Sequence, residues 1–214
     1  GVEGYIEKMR RLGIETERSD YLTSVDVTIA ALQRERPEKK CYVFGTRSFY
    51  SQLRDAGIPV TAQPDPDVDI LLCGFDRELT FQKLEDACIL LNRGAEFWAT
   101  NPDWVCPTWY GSVPDCGSVC RMLTTATGRT PRFLGKPQPD MAVLAMARTG
   151  FAPEQTVLLG DRLYTDIACG AAAGIDTVFV LSGEGTEADI EKFGVQPTWV
   201  RRDIAALLQE LEDN

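Results

Sequence analysis

Histidine is entirely absent from this sequence of 214 residues. Its absence excludes the Ser-His-Asp and Cys-His catalytic arrangements, histidine-ligated metals and the most common general base. Any chemistry that the chain performs must therefore depend on carboxylates, lysine, hydroxyl groups or a bound metal ion.

Long hydrophobic runs are also missing. The longest apolar stretches, such as TVLLG and DTVFVLSG, are far shorter than the roughly 18 residues that a membrane-spanning helix needs. No signal peptide opens at residue 1. Because hydrophobic residues make up 44% of the chain, which is enough for a folded core, we expect a soluble, cytoplasmic protein.

Positive charge is scarce, since 22 lysine and arginine residues stand against 32 acidic residues and the net charge is -10. Repulsion on that scale argues against a nucleic acid or an anionic membrane as a partner. The seven cysteines include no CxxC pair, which argues against a disulfide scaffold or a zinc site and predicts free thiols in a reducing compartment. Cys116 and Cys120 share a helix face, but two thiols alone rarely make a metal site.

Glycine recurs at the ends of helical segments and is soon followed by strand-like sequence. These predicted helix stops are Gly13, Gly57, Gly94, Gly128 and Gly174. Short apolar runs that suit buried strands lie between the helical segments: CYVFG, DILLCGF, EFWAT, RFLG, TVLLG and TVFVLSG. Helices that alternate with such strands predict an α/β fold with largely parallel sheets.

One segment, TNPDWVCPTWYGSVPDCGS at residues 100–118, interrupts this alternation for longer than an ordinary connection. Its three aromatic residues, Trp104, Trp109 and Tyr110, are compatible with a lid or specificity loop. They are equally compatible with a surface loop whose aromatic side chains pack onto the body of the protein.

Two strand exits carry residues that could perform chemistry. Asp161 follows the run TVLLG and should lie at the carboxyl edge of a sheet, where open α/β folds bind their ligands. Either Asp161 binds a metal there, or Asp161 or Thr165 caps the helix that starts near Tyr164. Lys136 follows another apolar run, RFLG, and the prolines after it stiffen its turn.

Lys136 and Asp161 are predicted to lie side by side, because they leave two successive parallel strands that one helix separates. Such a pair suits phosphoryl transfer. The ammonium group can neutralise phosphate oxygens, and Asp161, together with Asp166, can help to hold Mg²⁺.

Several segments resemble a known family. GKPQPDM and GDRLYTDI, with the helix between them, are similar to motifs three and four of haloacid dehalogenase (HAD) superfamily phosphatases of the NagD-like, para-nitrophenyl-phosphatase subclass. GFDRELTFQKL and ATNPDWVCPT resemble the α/β cap domain that this subclass inserts between its second and third motifs. The resemblance covers essentially the whole chain, and its motifs occur in the right order.

The resemblance assigns roles to individual residues. Lys136 matches the motif-three lysine, a catalytic residue that contacts the phosphate and the nucleophile. Asp161 matches the motif-four aspartate that binds Mg²⁺, and Asp166 matches the second acid of that motif, expected to support the metal site.

The TNPD segment matches the part of the cap domain that reaches over the substrate. The implied substrate-binding residues are Lys136, Asn101, Asp103 and Cys106. A histidine aligns with Cys106 in the family's pyridoxal-phosphate phosphatases, so that substrate is not implied here.

The sequence departs from the family in its first two motifs. Motif one, DxDG, supplies the aspartate nucleophile and an acid/base aspartate, and motif two supplies further phosphate contacts. Both precede a helix like GVEGYIEKMRRLGI, so we expect them, with two strands of the core sheet, upstream of Gly1. Asp69 and Asp76 begin no DxD pattern, and the acids of PDPDVD lie in a proline-rich turn typical of a solvated loop.

The expected architecture is an α/β fold with a Rossmann-like HAD core at residues 1–37 and 132–214, lacking its amino-terminal strands, and an inserted α/β cap domain at residues 38–131. The expected function is Mg²⁺-dependent hydrolysis of a small phosphorylated metabolite through an aspartyl-phosphate. A homodimer is a family expectation. The alternative is a truncated, inactive module that binds phosphate, metal or a partner. A third interpretation is a nucleotide-binding protein, but the sequence has no GxGxxG motif after a strand to support it.

Overall fold

The chain folds into two units in the computed structural model, which describes residues 1–213. The amino-terminal unit spans Gly1–Gly135 and the carboxyl-terminal unit spans Lys136–Asn214. The predicted core and cap domain divide the chain differently at its start, because residues 1–37 fall in the amino-terminal unit. The division into core and cap domain stays a prediction.

A five-stranded parallel sheet forms the centre of the amino-terminal unit. Its strands are β1 (Cys41–Phe44), β2 (Val60–Thr61), β3 (Ile70–Cys73), β4 (Glu96–Ala99) and β7 (Arg132–Phe133). Their order in the sheet is β2-β1-β3-β4-β7. All four residues of β1 and all four of β3 are buried, as expected for a parallel sheet covered on both faces.

Five α-helices accompany this sheet: α1 (Val2–Arg11), α2 (Ser24–Glu35), α3 (Arg47–Asp55), α4 (Phe81–Arg93) and α5 (Cys116–Thr127). Thr23, Thr46 and Thr80 cap α2, α3 and α4, because each side chain accepts a hydrogen bond from a backbone N–H in the first turn. Helix α4 ends as predicted at Gly94, whose φ of 101° only glycine adopts readily.

Side chains along each strand point alternately to the two faces of the sheet, so the core of this unit has two parts. Tyr42, Leu71 and Phe97 pack on one face of the sheet with residues of α4 and α5. Cys41, Ile70 and Trp98 pack on the other face with residues of α2 and α3.

The segment at residues 100–118 contains regular structure that the sequence analysis missed. Strands β5 (Val105–Thr108) and β6 (Gly111–Pro114) form an antiparallel hairpin. Trp109 and Tyr110 make its turn, and Trp109 is 95% exposed. The reading in which the aromatic side chains pack onto the body of the protein is therefore wrong for Trp109, whose ring meets Tyr110 edge-on at 5.1 Å between centroids.

The carboxyl-terminal unit contains a three-stranded parallel sheet with the order β10-β9-β8. Its strands are β8 (Val157–Gly160), β9 (Asp176–Val180) and β10 (Trp199–Arg201). Its α-helices are α6 (Asp140–Thr149), α7 (Ala168–Ala173), α8 (Ala188–Phe193) and α9 (Ile204–Glu212). A π-helical turn, Leu163–Ile167, precedes α7.

The strands before Lys136 and Asp161 do not belong to one sheet. Strand β7 pairs with β4, whereas β8 pairs with β9. The prediction that Lys136 and Asp161 lie side by side is based on the succession of their strands along the chain, and it stays a prediction. Within the described part of the chain, no helix has the length and apolar character needed to cross a bilayer.

Candidate functional site

An ion pair between Lys136 and Asp166 marks the candidate site in the carboxyl-terminal unit. The Lys136 ammonium donates a hydrogen bond to Oδ1 of Asp166. The side chain of Lys136 is 37% exposed and that of Asp166 is 9% exposed. The lysine can therefore meet a ligand from solvent while its partner stays largely buried.

The chain brings Asp166 to this position through the π-helical turn and a glycine. The backbone N–H of Asp166 donates to the carbonyl of Arg162 at 2.9 Å, which folds the chain back towards the end of β8. Gly160 ends β8, and a Cβ at this position would lie 2.1 Å from Cβ of Asp166. Only glycine leaves room for the aspartate here. The N–H of Arg162 donates to Oδ2 of Asp166 at 3.2 Å, so both carboxylate oxygens have partners.

Asp161 lies directly after β8, as the sequence predicts, and the loop after β9 surrounds it. Its Oδ2 accepts a hydrogen bond from the N–H of Glu184 at 2.9 Å, and its carbonyl accepts one from the N–H of Gly185 at 2.9 Å. A Cβ on Gly183 would lie 2.0 Å from Oδ2 of Asp161. Among residues 1–213, none donates a hydrogen bond to the other carboxylate oxygen of Asp161, Oδ1. This oxygen is therefore available to bind a metal ion.

The alternative in which Asp161 or Thr165 caps a helix is wrong. Neither the π-helical turn nor α7 has a side-chain cap, and Asp161 instead accepts from a residue outside any helix. Thr165 is buried.

The sequence analysis missed the loop at residues 182–185, which helps to build this site. Arg162 donates to Glu184 at 2.7 Å and holds the loop beside Asp161. The available signal was the pair of glycines in SGEG immediately after an apolar strand, a position where close backbone approach is common.

Asn101, Asp103 and Cys106, the predicted substrate-binding residues, lie in the amino-terminal unit. Oδ1 of Asn101 accepts from the N–H of Asp103 at 3.1 Å, which fixes a tight turn after β4. Cys106 is a half-buried residue of β5. Burial raises the pKa of the nearby Asp115 carboxyl, and the negative charge of Asp103 adds to that effect.

The site combines a group that can contact an anion with a carboxylate oxygen that can bind a cation. A partly exposed lysine and a carboxylate oxygen that accepts no hydrogen bond lie in a unit whose strands are parallel, and the carboxylate directly follows a strand. Open α/β folds bind ligands at such strand ends.

Comparisons with known proteins identify the family. A family model described as haloacid dehalogenase-like hydrolase matches residues 2–59, and a model described as HAD-hydrolase-like matches residues 133–207. An acid sugar phosphatase of Staphylococcus epidermidis is 31% identical over 206 residues, which are 96% of this chain and 79% of the relative.

Solved structures agree with this result. A 4-nitrophenylphosphatase from Thermotoga maritima superposes with a TM-score of 0.88 at 32% identity, over 98% of this chain and 79% of that chain. A glycerol phosphate phosphatase from Mycobacterium tuberculosis, in complex with calcium, superposes with a TM-score of 0.89 at 28% identity, over 97% of this chain and 62% of that chain. The chain belongs to the haloacid dehalogenase superfamily and, within it, to the NagD-like, para-nitrophenyl-phosphatase type.

Proposed function

We propose that this chain, together with an aspartate nucleophile outside residues 1–214, carries out Mg²⁺-dependent hydrolysis of a small phosphomonoester through an aspartyl-phosphate intermediate. The observation that carries the proposal is the Lys136–Asp166 ion pair, in the same unit as an Asp161 oxygen that accepts no hydrogen bond. An ammonium group that a buried carboxylate holds in place can neutralise the charge of a phosphoryl group without being reorganised during the reaction.

In this proposal the two aspartates have different roles. Asp166 orients Lys136, because both of its oxygens already accept hydrogen bonds. Asp161 is the metal ligand, because its Oδ1 is available and hard cations prefer carboxylate oxygens. When bound, Mg²⁺ would supply positive charge next to the transferring phosphoryl group. The calcium in the mycobacterial relative supports a divalent metal in the family.

The attacking aspartate is the part of the proposal that comes from the resemblance alone. The acids of PDPDVD are poor candidates, since Asp65 and Asp67 pair with Lys40 and Asp69 pairs with Lys39. We therefore assign the nucleophile to a DxDG segment outside residues 1–214. Its carboxylate would attack phosphorus and release the alcohol, and water would then cleave the acyl phosphate.

The substrate class follows from the relatives' names and from the predicted contact residues. The relatives named acid sugar phosphatase and glycerol phosphate phosphatase favour a phosphorylated sugar or polyol. Asn101, Asp103 and Cys106 are the positions that we assign to selection of the leaving alcohol. A homodimer, the lack of nucleic-acid and membrane partners, and a cytoplasmic location stay predictions.

Phosphate release by two forms of the chain tests the proposal. One form is residues 1–214, and the other carries a DxDG-containing segment joined before Gly1. We expect Mg²⁺-dependent release of phosphate from small phosphomonoesters by the extended form only. Equal activity of residues 1–214 would disprove the assignment of the nucleophile.

Lys136→Ala in the extended form tests the role of the lysine. We expect kcat/KM to fall by about 10²- to 10³-fold, as for loss of one group that stabilises transition-state charge. Lys192→Ala is the matched control, because Lys192 is a mostly exposed lysine of the same unit. An unchanged kcat/KM in Lys136→Ala would contradict the proposed site.

The alternative function is a non-catalytic module that binds phosphate or metal. The observation that favours it is the lack of a suitably placed nucleophile among the described residues. Phosphate binding by residues 1–214 that depends on Lys136, together with an inactive extended form, would support this alternative.

A further inference from the structure

Three cysteines of the amino-terminal unit meet in its core and form what we call the thiol cluster: Cys73, Cys116 and Cys120. Sγ of Cys116 lies 3.9 Å from Sγ of Cys73 and 3.9 Å from Sγ of Cys120. All three sulfur atoms lie within 4.8 Å of one another. Within residues 1–213, no other three side chains of metal-ligating type come together this closely.

The fold creates this cluster from distant parts of the sequence. Cys73 ends β3, whereas Cys116 and Cys120 lie one turn apart on α5. The two helix cysteines share a face, which the spacing of four residues predicts. The third thiol, Cys73, lies on a strand 43 residues earlier, so the spacing of the cysteines does not predict that it joins the other two.

The sulfur separations fit a single metal ion. Metal–sulfur bonds are about 2.3 Å long in thiolate sites. Three sulfurs at that distance from a central ion, in a plane, lie about 4.0 Å apart. Two of the observed separations are 3.9 Å, and the third is within 4.8 Å.

Cys116, at the centre of the cluster, lies at a helix end and has polar neighbours. Cys116 is the first residue of α5, and a helix amino terminus stabilises a thiolate. The Cys116 thiol donates to the carbonyl of Cys73 at 3.5 Å. The Thr100 hydroxyl also donates to Sγ of Cys116, at 4.0 Å.

A cavity borders the thiol cluster at Cys120. Cys120 lines a cavity of about 290 Å³ whose walls also include Trp104, Gly117 and Phe133. Cys73 and Cys116 are fully buried.

We propose that the thiol cluster is a binding site for one soft, thiophilic metal ion, with Cu(I) as the best fit. Thiolate ligands select soft ions such as Cu(I) and exclude Mg²⁺. Zinc in structural sites takes four ligands, whereas the cluster offers three thiols. Each thiol that binds the ion releases its proton to solvent. The site is separate from the proposed phosphate site and does not depend on it.

Titration of the reduced chain with Cu(I), held by a chromophoric chelator under anaerobic conditions, tests the proposal. We expect one equivalent of Cu(I) per chain, and X-ray absorption should show three sulfur neighbours. Cys116→Ala and Cys120→Ala should each weaken binding at least tenfold. Cys41→Ala is the matched control, because Cys41 is equally buried in the same sheet but packs on its opposite face.

Two results would overturn the proposal. One is X-ray absorption of the wild-type chain with fewer than three sulfur neighbours, which is decisive even if a variant fails to fold. The other is equal loss of Cu(I) binding in Cys41→Ala and in the cluster variants that circular dichroism shows to be folded. Tighter binding of Zn²⁺ than of Cu(I) would contradict the choice of ion.

Discussion

At the scale of single residues, Asp166 holds the ammonium group of Lys136 in place in the candidate site. Its carboxylate joins the Lys136 ammonium to the backbone N–H of Arg162. A residue in this position can control where the lysine points without touching a ligand itself. Motif resemblance alone placed Asp166 at the metal, whereas the contacts favour a positioning role.

Asp166→Asn separates these two roles. Loss of the carboxylate leaves Lys136 without its charged partner, and we expect the free energy of unfolding to fall by about 1–2 kcal/mol, since Lys136 is partly solvated. In the extended form, kcat/KM should fall while the Mg²⁺ concentration for half-maximal activity stays unchanged. Urea denaturation and steady-state kinetics measure these quantities.

Two variants complete this test. Glu7→Gln removes an exposed ion pair with Arg10 and should change the free energy of unfolding by less than about 0.5 kcal/mol. Asp161→Asn should raise the half-maximal Mg²⁺ concentration at least tenfold. A matching rise in Asp166→Asn would instead make Asp166 a metal ligand.

At the scale of elements, an ion pair fastens the end of α2 to β7. Arg132 donates to Glu35 at 2.5 Å and 3.1 Å, and its guanidinium lies over the ring of Trp98 at 4.6 Å. Hydrogen bonds from Arg132 and then from Arg34 lower the pKa of Glu35 from its ordinary 4.5 to about 2.

This lowered pKa predicts a pH-dependent stability. Because the carboxylate is favoured in the folded state, its contribution is complete above pH 4.5 and disappears as the pH falls towards 2. We expect Glu35→Gln to lower the free energy of unfolding by about 1 kcal/mol at pH 6, after solvent screening is allowed for. Near pH 2 the difference between wild type and variant should vanish.

Urea denaturation at several pH values measures this difference. Glu3→Gln is a suitable control, because Glu3 is an exposed residue of the same unit. A difference between Glu35→Gln and wild type that persists unchanged at pH 2 would contradict the role of the ion pair.

Local sequence predicted the elements well but not their partners. All five predicted helix-ending glycines have positive φ, and each of the six apolar runs contains a strand. Strands β2 and β10 were missed because neither lies in one of these apolar runs. The β5–β6 hairpin was missed because Pro107 and Pro114 are typical of loops. Pairing of β7 with β4 depends on contacts between distant residues, which periodicity does not encode.

For the candidate site, too, the sequence predicted individual residues but not the contact between them. Lys136 and Asp161 were found because each follows an apolar run. The contact between Lys136 and Asp166 could not be found in this way, since it depends on the π-helical turn and on the space that Gly160 leaves.

At the scale of the whole molecule, the carboxyl-terminal unit has an exposed apolar face. Strand β8 pairs only with β9 among the described residues, and Val157 on it is 48% exposed. Val157, Trp199 and Leu211 line a cavity of about 550 Å³. Open strand edges and apolar surfaces of this kind favour association with other molecules.

Val157→Lys tests this expectation. We expect residues 1–214 to bind an apolar fluorescent dye and to associate as concentration rises, and the variant should reduce both by at least half. Dye titration and analytical ultracentrifugation provide the measurements. Val143→Lys, at an equally exposed valine on α6, should leave both unchanged; equal effects of the two variants would show that β8 is not the surface involved.

The distribution of the four tryptophans gives each unit its own optical signal. Trp98 is buried in the amino-terminal core and Trp104 and Trp109 are exposed, whereas Trp199, on β10, is the one tryptophan in residues 136–214. A Trp199→Phe chain would therefore fluoresce from the amino-terminal unit alone. The difference between its emission and that of the unaltered chain isolates the carboxyl-terminal unit, so the order in which the two units melt can be recorded without attaching any label.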